Sequence, residues 1–146
     1  MTQVGRPVVG DRGPSRARTY GISAVVLLAL DLLWLGVMSP PLYQRTIGSL
    51  LREKPDLVAA SLFSAIYLLG VNEFVIRAFP PGSQVARVAA RGALFGLVAY
   101  ATFDLTALAM LAGWSPLVTA VDMAWGTVLT ATVAAVTYSF AGRRRV

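Results

Sequence analysis

Three aspartates lie inside stretches of this chain that are otherwise free of charge: Asp31, Asp104 and Asp122. Carboxyl groups transfer protons, and their oxygens bind cations. The surrounding stretches are apolar, and one aspartate at the centre of a membrane-spanning helix costs about 2.5–3.5 kcal/mol if it faces lipid. We therefore expect all three side chains to face the interior of the protein, where they are the first candidates for a functional site.

The three aspartates share one depth in the predicted bundle. Each aspartate is seven residues from the end of its apolar stretch on one and the same side of the membrane. The end residue is Met38 for Asp31, Leu111 for Asp104 and Ser115 for Asp122. At a rise of 1.5 Å per residue, each carboxyl is about 10 Å from that side. No lysine or arginine lies at this depth. Three outcomes stay open: the carboxyls are protonated, they bind a cation, or neutral donors satisfy them.

Neutral hydrogen-bond donors occur close to the aspartates. Two tryptophans each follow an aspartate by three residues, and a tyrosine precedes Asp104 by four residues and so shares its helix face. The predicted binding site, which we call the acidic layer, comprises Asp31, Asp104, Asp122, Trp34, Tyr100, Thr106 and Trp125. Two interpretations stay open: the layer fixes helix packing, or it binds a proton, a cation or a polar substrate.

The amino-acid composition indicates the class of protein in which these aspartates lie. The 146 residues are 56% hydrophobic and 14% charged, with a mean hydropathy of +0.66. A soluble domain carries about 25% charged residues. The chain contains no histidine and no cysteine, which excludes imidazole bases, thiolate nucleophiles, disulfides and most transition-metal sites. We therefore expect a membrane protein with no cofactor and no metal, and we assign no catalytic residue.

Four apolar stretches are long enough to cross a bilayer: residues 20–38, 57–78, 86–112 and 116–140. About 20 residues span the roughly 30 Å of hydrocarbon, and the lack of water there requires each span to be helical. The sequence predicts an all-α integral membrane four-helix bundle. Residues 1–19 are predicted to be a disordered basic tail, and residues 141–146 a basic C-terminal tail.

The connections between the spans carry helix-ending and helix-starting residues. The run Ser39-Pro40-Pro41 is predicted to end the first span, and residues 42–51 are predicted to form a short amphipathic helix at the interface. Ser115 is a suitable N-cap for the fourth span. Gly92 and Gly96 are spaced so that they allow close approach of another helix.

The basic residues indicate the orientation. Ten of the thirteen lysines and arginines lie on one predicted side, which contains both termini and the turn near Pro80. The other three are Arg45, Arg52 and Lys54. The positive-inside rule therefore predicts that both termini are cytoplasmic. This asymmetry also accounts for the basic pI, so no nucleic-acid partner is expected.

With these residues in view, the chain resembles a family of small bacterial predicted membrane proteins of unknown function. The motifs are the runs 31–36 and 121–126, the Tyr43 region and residues 100–106, and the resemblance covers about residues 20–140. It implies four helices and a multi-pass location in the bacterial inner membrane, without an activity. In the third span the family usually has a tyrosine and an asparagine where this chain has Phe103 and Ala107, so no role is carried over to those positions.

Three functions are compatible with the sequence. In the first, the acidic layer binds or transports a proton, a cation or a polar or lipid-like substrate, and a homodimer is expected because four helices are few for a carrier. In the second, the protein is an accessory subunit whose polar layer only fixes packing. In the third, it is a lipid-modifying enzyme, which the lack of a nucleophile motif and of an acid-rich repeat disfavours. The bilayer is the one certain partner, and the small-molecule ligand is unknown.

Overall fold

The computed structural model describes residues 15–141. Within this range the chain is helical, without a strand, and four of its helical segments are long and apolar enough to cross a membrane. The predicted all-α membrane fold is therefore confirmed. The α-helices are α1 (Arg16–Met38), α2 (Arg45–Ile47), α3 (Leu57–Gly70), α4 (Val85–Met110) and α5 (Pro116–Ala141).

The first helix begins earlier than the sequence predicted. Ser15 is its N-cap, and its hydroxyl accepts a hydrogen bond from the Arg18 N–H at 3.3 Å. Residues 16–19 therefore belong to α1 rather than to the predicted tail. Residues 1–14 and 142–146, on which the rest of both predicted tails falls, lie outside the described residues.

α1 ends at Met38, directly before Ser39-Pro40-Pro41, as the sequence predicts, but these residues do not end the helical geometry of the chain. The helical chain continues through a π-helical turn (Ser39–Gln44), then α2, then a 3-10 turn (Gly48–Leu50). The wider π-helical turn accommodates two prolines that have no N–H to donate. The predicted interfacial helix is thus an extension of α1. Trp34 and Tyr43 would be about 13.5 Å apart along a straight helix, yet their side chains are hydrogen-bonded, so the chain bends here.

Helices α4 and α5 form the closest pair, and glycine makes the contact possible. A Cβ atom at Gly92 would lie 2.8 Å from the Thr130 carbonyl oxygen, and one at Gly96 would overlap the Gly126 carbonyl. Gly126 in turn leaves room for the Tyr100 ring. The prediction that Gly92 and Gly96 face another helix is confirmed. α1 also packs along α5.

The ends of the bundle are named here by their prolines. The Pro40 end contains the extension of α1 and the turn between α4 and α5, where Leu42, Ile47 and Val118 form a small buried cluster. The Pro80 end contains the start of α1, the turn between α3 and α4, and the end of α5. There the Tyr20 hydroxyl donates to Glu73 at 3.1 Å, and Arg77 pairs with Glu73 at 3.2 Å.

The second predicted span is divided between two kinds of helix. α3 ends at Gly70, and a π-helical turn (Val71–Ile76) follows it. This turn packs against α1, α4 and α5, with Val71, Val75 and Ile76 buried. Residues 57–63, at the other end of the same segment, are exposed throughout. Four helices therefore form a bundle at the Pro80 end, but only α1, α4 and α5 pack closely toward the Pro40 end.

Candidate functional site

A hydrogen-bonded chain links α1, its extension and α5 at the Pro40 end. The Trp34 indole N–H donates to the Tyr43 hydroxyl at 2.8 Å, and that hydroxyl donates to the Asp122 carboxylate. Tyr43 reaches this position because the π-helical turn bends the chain back over the bundle. One oxygen of Asp122 thus accepts a hydrogen bond from a neutral donor, which is the third of the three outcomes that the sequence analysis left open.

Two tryptophans hold α1 against α5 beside this chain. The rings of Trp34 and Trp125 stack at 4.2 Å between centroids and 7° between planes. The Trp125 indole interacts with the Asp31 carboxyl, but its buried N–H forms no hydrogen bond of normal geometry. Asp31 and Asp122 are both half-buried. Each predicted aspartate–tryptophan pair therefore contributes to one contact between α1 and α5.

Asp104 differs from the other two aspartates. Its side chain is 0% exposed, and neither carboxyl oxygen has a hydrogen-bond partner. Its carboxyl interacts electrostatically with Asp122 and with the Tyr43 hydroxyl. A buried polar group without a partner costs about 1–3 kcal/mol, and a buried charge costs more. Among residues 15–141 no donor satisfies either oxygen, which distinguishes Asp104 from Asp122.

Tyr100 and Tyr67 lie on the Pro80 side of the carboxyl groups. Tyr100 interacts electrostatically with Asp31 and Asp122. The Tyr67 ring meets the Tyr100 ring edge-on at 6.3 Å, and the Tyr67 hydroxyl bonds to the Thr130 hydroxyl at 2.5 Å. Because Thr130 itself donates to the Gly126 carbonyl, Tyr67 is the donor in this pair. These contacts join α3, α4 and α5 at the point where α3 enters the bundle.

Thr106 is not part of this arrangement. Its side chain is exposed, whereas Asp104 and Ala107 on the same helix are buried. A residue two positions from Asp104 lies about 200° around the helix, so the spacing itself directs Thr106 away from the interior. The structure brings the other six predicted residues into one region, although they make pairwise contacts rather than one shared site.

Asp104 and Asp122 bring two carboxyl groups close to the Tyr43 hydroxyl. Among residues 15–141 no group of three or more acidic side chains is placed to hold a metal. Carboxyl oxygens can accept hydrogen bonds from an ammonium group or share a proton. The fold and the site together define a multi-helix integral membrane protein with one buried and one half-buried carboxyl near one end.

Two contributors, Tyr43 and Tyr67, are not among the seven residues that define the acidic layer. Tyr43 was predicted to lie on a separate interfacial helix, and only the bend at Pro40 brings it to Asp122. Tyr67 lies on a face of α3 that is buried only where the helix enters the bundle. A signal for Tyr67 was present, since an aromatic residue with a hydroxyl group in the middle of a span usually has a buried partner.

Comparison with known proteins identifies the family. The model of the family described as Predicted membrane protein (DUF2177) matches residues 17–139, which is most of the chain. The chain belongs to this family of predicted membrane proteins of unknown function, as the resemblance in the sequence indicated. It matches no curated protein and no solved structure at a significant level.

Proposed function

We propose that this protein binds a cationic ligand within the membrane, at a site built around the carboxyl groups of Asp104 and Asp122. The observation that supports it is the Asp104 side chain, which is fully buried and has no donor for either oxygen. A layer that only fixed helix packing would satisfy this carboxyl from a neighbouring helix, as Tyr43 satisfies Asp122. A positive charge between the two carboxyls would offset both the desolvation and the mutual repulsion.

The proposed orientation places the site in the outer half of the membrane. In the sequence, ten of the thirteen basic residues precede the first apolar stretch, follow the last one, or lie in and beside the turn near Pro80, which favours a cytoplasmic location for the Pro80 end and for both termini. The Pro40 end would then face the outside of the bacterial inner membrane. A homodimer is part of the same proposal, because four helices offer few surfaces for a transport path.

The experiment measures ligand-induced stabilisation of the protein in phosphatidylcholine nanodiscs. Methylammonium chloride is added as the probe, and tetramethylammonium chloride at equal ionic strength is the control because it cannot donate hydrogen bonds. A ligand at ten times its Kd should raise the free energy of unfolding by about 1.4 kcal/mol. We expect this shift in the wild type with methylammonium and not with tetramethylammonium.

Two variants assign the shift to the site. Asp104→Asn is nearly isosteric and cannot carry a charge, so it should remove the methylammonium shift. Thr106→Ala changes an exposed side chain two residues away and should leave the shift intact. If Asp104→Asn keeps the full shift, or if methylammonium has no effect on the wild type, the proposal is wrong. The absence of any shift would favour the accessory-subunit alternative.

A further inference from the structure

The side of α5 that carries Asp122 and Trp125 is left uncovered toward the Pro40 end. α1 and α4 both pack along α5, whereas any contact between α1 and α4 is slight. At the Pro80 end, the π-helical turn Val71–Ile76 contacts all three of these helices. Toward the Pro40 end none of the helices within residues 15–141 takes this place, because residues 57–63 of α3 are exposed.

The result is a lateral groove with α1 and α4 as walls and α5 as floor. The groove is lined by side chains that are neither fully buried nor fully exposed, which are Asp31 and Trp34 on α1, Tyr100 on α4, and Asp122 and Trp125 on α5. Tyr67 closes the groove toward the Pro80 end through its contacts with Phe95, Tyr100 and Thr130. Tyr43 covers it toward the Pro40 end.

We propose that this groove binds a lipid with an amine headgroup, which enters sideways from the bilayer and places its ammonium group at Asp31 and Asp122. The proposal rests on the proposed function, because the groove shares Asp122 with the proposed site, and it names the substrate class. The charge of the groove indicates a cationic headgroup, because two half-buried carboxyls line the groove and no basic side chain lies at their depth. An aspartate exposed to hydrocarbon costs about 2.5–3.5 kcal/mol, so a cationic occupant is favoured.

The position of the opening favours a lipid over a water-soluble cation as the ligand of the groove. The Pro40 end, from which water would enter, is covered by Tyr43 and by the cluster of Leu42, Ile47 and Val118. The open side faces the membrane, and on α1 the neighbour of Asp31, Leu32, is 69% exposed. A headgroup at the carboxyls therefore has its alkyl chain beside apolar side chains.

The probe is octadecylamine, incorporated into phosphatidylcholine nanodiscs that contain the full-length protein. Methylammonium has the same headgroup without the chain, and octadecanol has the same chain with a neutral headgroup. We expect octadecylamine to raise the unfolding temperature of the wild type and octadecanol to have no effect. Equal stabilisation by octadecanol would overturn the requirement for a cationic headgroup.

Ser64 provides the variant that separates this inference from the proposed function. It is the one half-buried residue between positions 57 and 66, so it faces the groove. Ser64→Trp should weaken octadecylamine binding at least tenfold while methylammonium binding stays within twofold. Leu62→Trp, on an exposed face of the same helix, is the matched control and should change neither.

The remaining outcomes distinguish failure of the groove proposal from failure of the proposed function. If octadecylamine binding is indifferent to Ser64→Trp while methylammonium still binds, the groove proposal is wrong and the carboxyl site stands. If neither amine binds, the proposed function fails together with the inference. Nanodiscs that hold two chains and exclude octadecylamine would show that a second copy fills the groove, which overturns the proposal.

Quenching by a brominated lipid tests the groove without a bulky variant. In a Trp114→Phe protein, only Trp34 and Trp125 fluoresce. Phosphatidylcholine with bromine on its acyl chains should quench them, because the groove is open to lipid, and octadecylamine should reverse part of the quenching. A lack of quenching would show that lipid does not reach these rings, and the lateral entry would then be refuted.

Discussion

Replacing Gly96 by alanine should force α4 away from α5. The added Cβ would overlap the Gly126 carbonyl and the Thr130 hydroxyl, and its distance to the Gly126 carbonyl carbon would be 2.8 Å. Two of these three atoms belong to the backbone of α5, so no change of rotamer relieves the clash. The helices must separate, or the helix backbone must distort.

The expected cost follows from the clash. Overpacking a close contact typically costs about 1–3 kcal/mol. The hydrogen bond from Thr130 to the Gly126 carbonyl, 2.7 Å long, lies within α5 and survives the separation. We therefore expect Gly96→Ala to lower the free energy of unfolding by about 1–3 kcal/mol.

The assay is reversible unfolding in mixed micelles of a mild detergent and sodium dodecyl sulfate, followed by tryptophan fluorescence. Gly36→Ala is the matched control, because Gly36 lies in α1 and a Cβ there meets nothing within 4 Å. That variant should be neutral, or more stable by up to about 1 kcal/mol from helix propensity. If the two variants unfold at the same detergent fraction, the backbone contact between α4 and α5 does not hold the bundle together.

Three further predictions concern the site and the orientation. Tyr43→Phe removes the donor to Asp122 and should lower the free energy of unfolding by about 1–3 kcal/mol, with a changed near-ultraviolet circular dichroism of the stacked tryptophans; an unchanged midpoint would count against the network. Asp104→Leu should raise the unfolding temperature while it abolishes methylammonium binding, because it removes a buried carboxyl without a partner; a large loss of stability would show that a protein group satisfies this side chain. A single cysteine at position 49 should react with an impermeant maleimide added outside intact cells, and one at position 83 should not; the opposite pattern would invert the proposed orientation.

The features that the sequence predicts well depend on local composition. Apolar length determines the four spans, and Ser115 is the N-cap of α5 as predicted, because its hydroxyl accepts hydrogen bonds from the backbone of Leu117 and Val118. The inward face of α4 follows from Gly92 and Gly96, because small residues are favoured where helices touch in lipid.

The features that the sequence did not predict depend on the other helices. A run of two prolines normally ends a helix, but here contacts of Leu42 and Ile47 with Val118 hold the chain in a π-helical turn. The partial separation of α3 has no local signal, since both of its halves are similarly apolar. The position of Tyr43 and the groove both result from these two tertiary effects. Sequence reasoning therefore identified the three aspartates, but it did not identify the contact of Tyr43 with Asp122 or the separation of α3 from the bundle.

The close contact between α4 and α5 also sets the order in which the protein can assemble. The two helices are joined by a turn of a few residues, so they can pair as a hairpin as soon as both are in the membrane. α5 follows α1, α3 and α4 in the chain, and α1 depends on it for the Trp34–Trp125 stack. Before α5 is inserted, the turn Val71–Ile76 can already contact α1 and α4, but neither of these helices has the partner along which it packs most extensively. A chain cut before Pro116 would therefore lack the helix that joins α1 to α4, so the insertion of α5 completes the bundle.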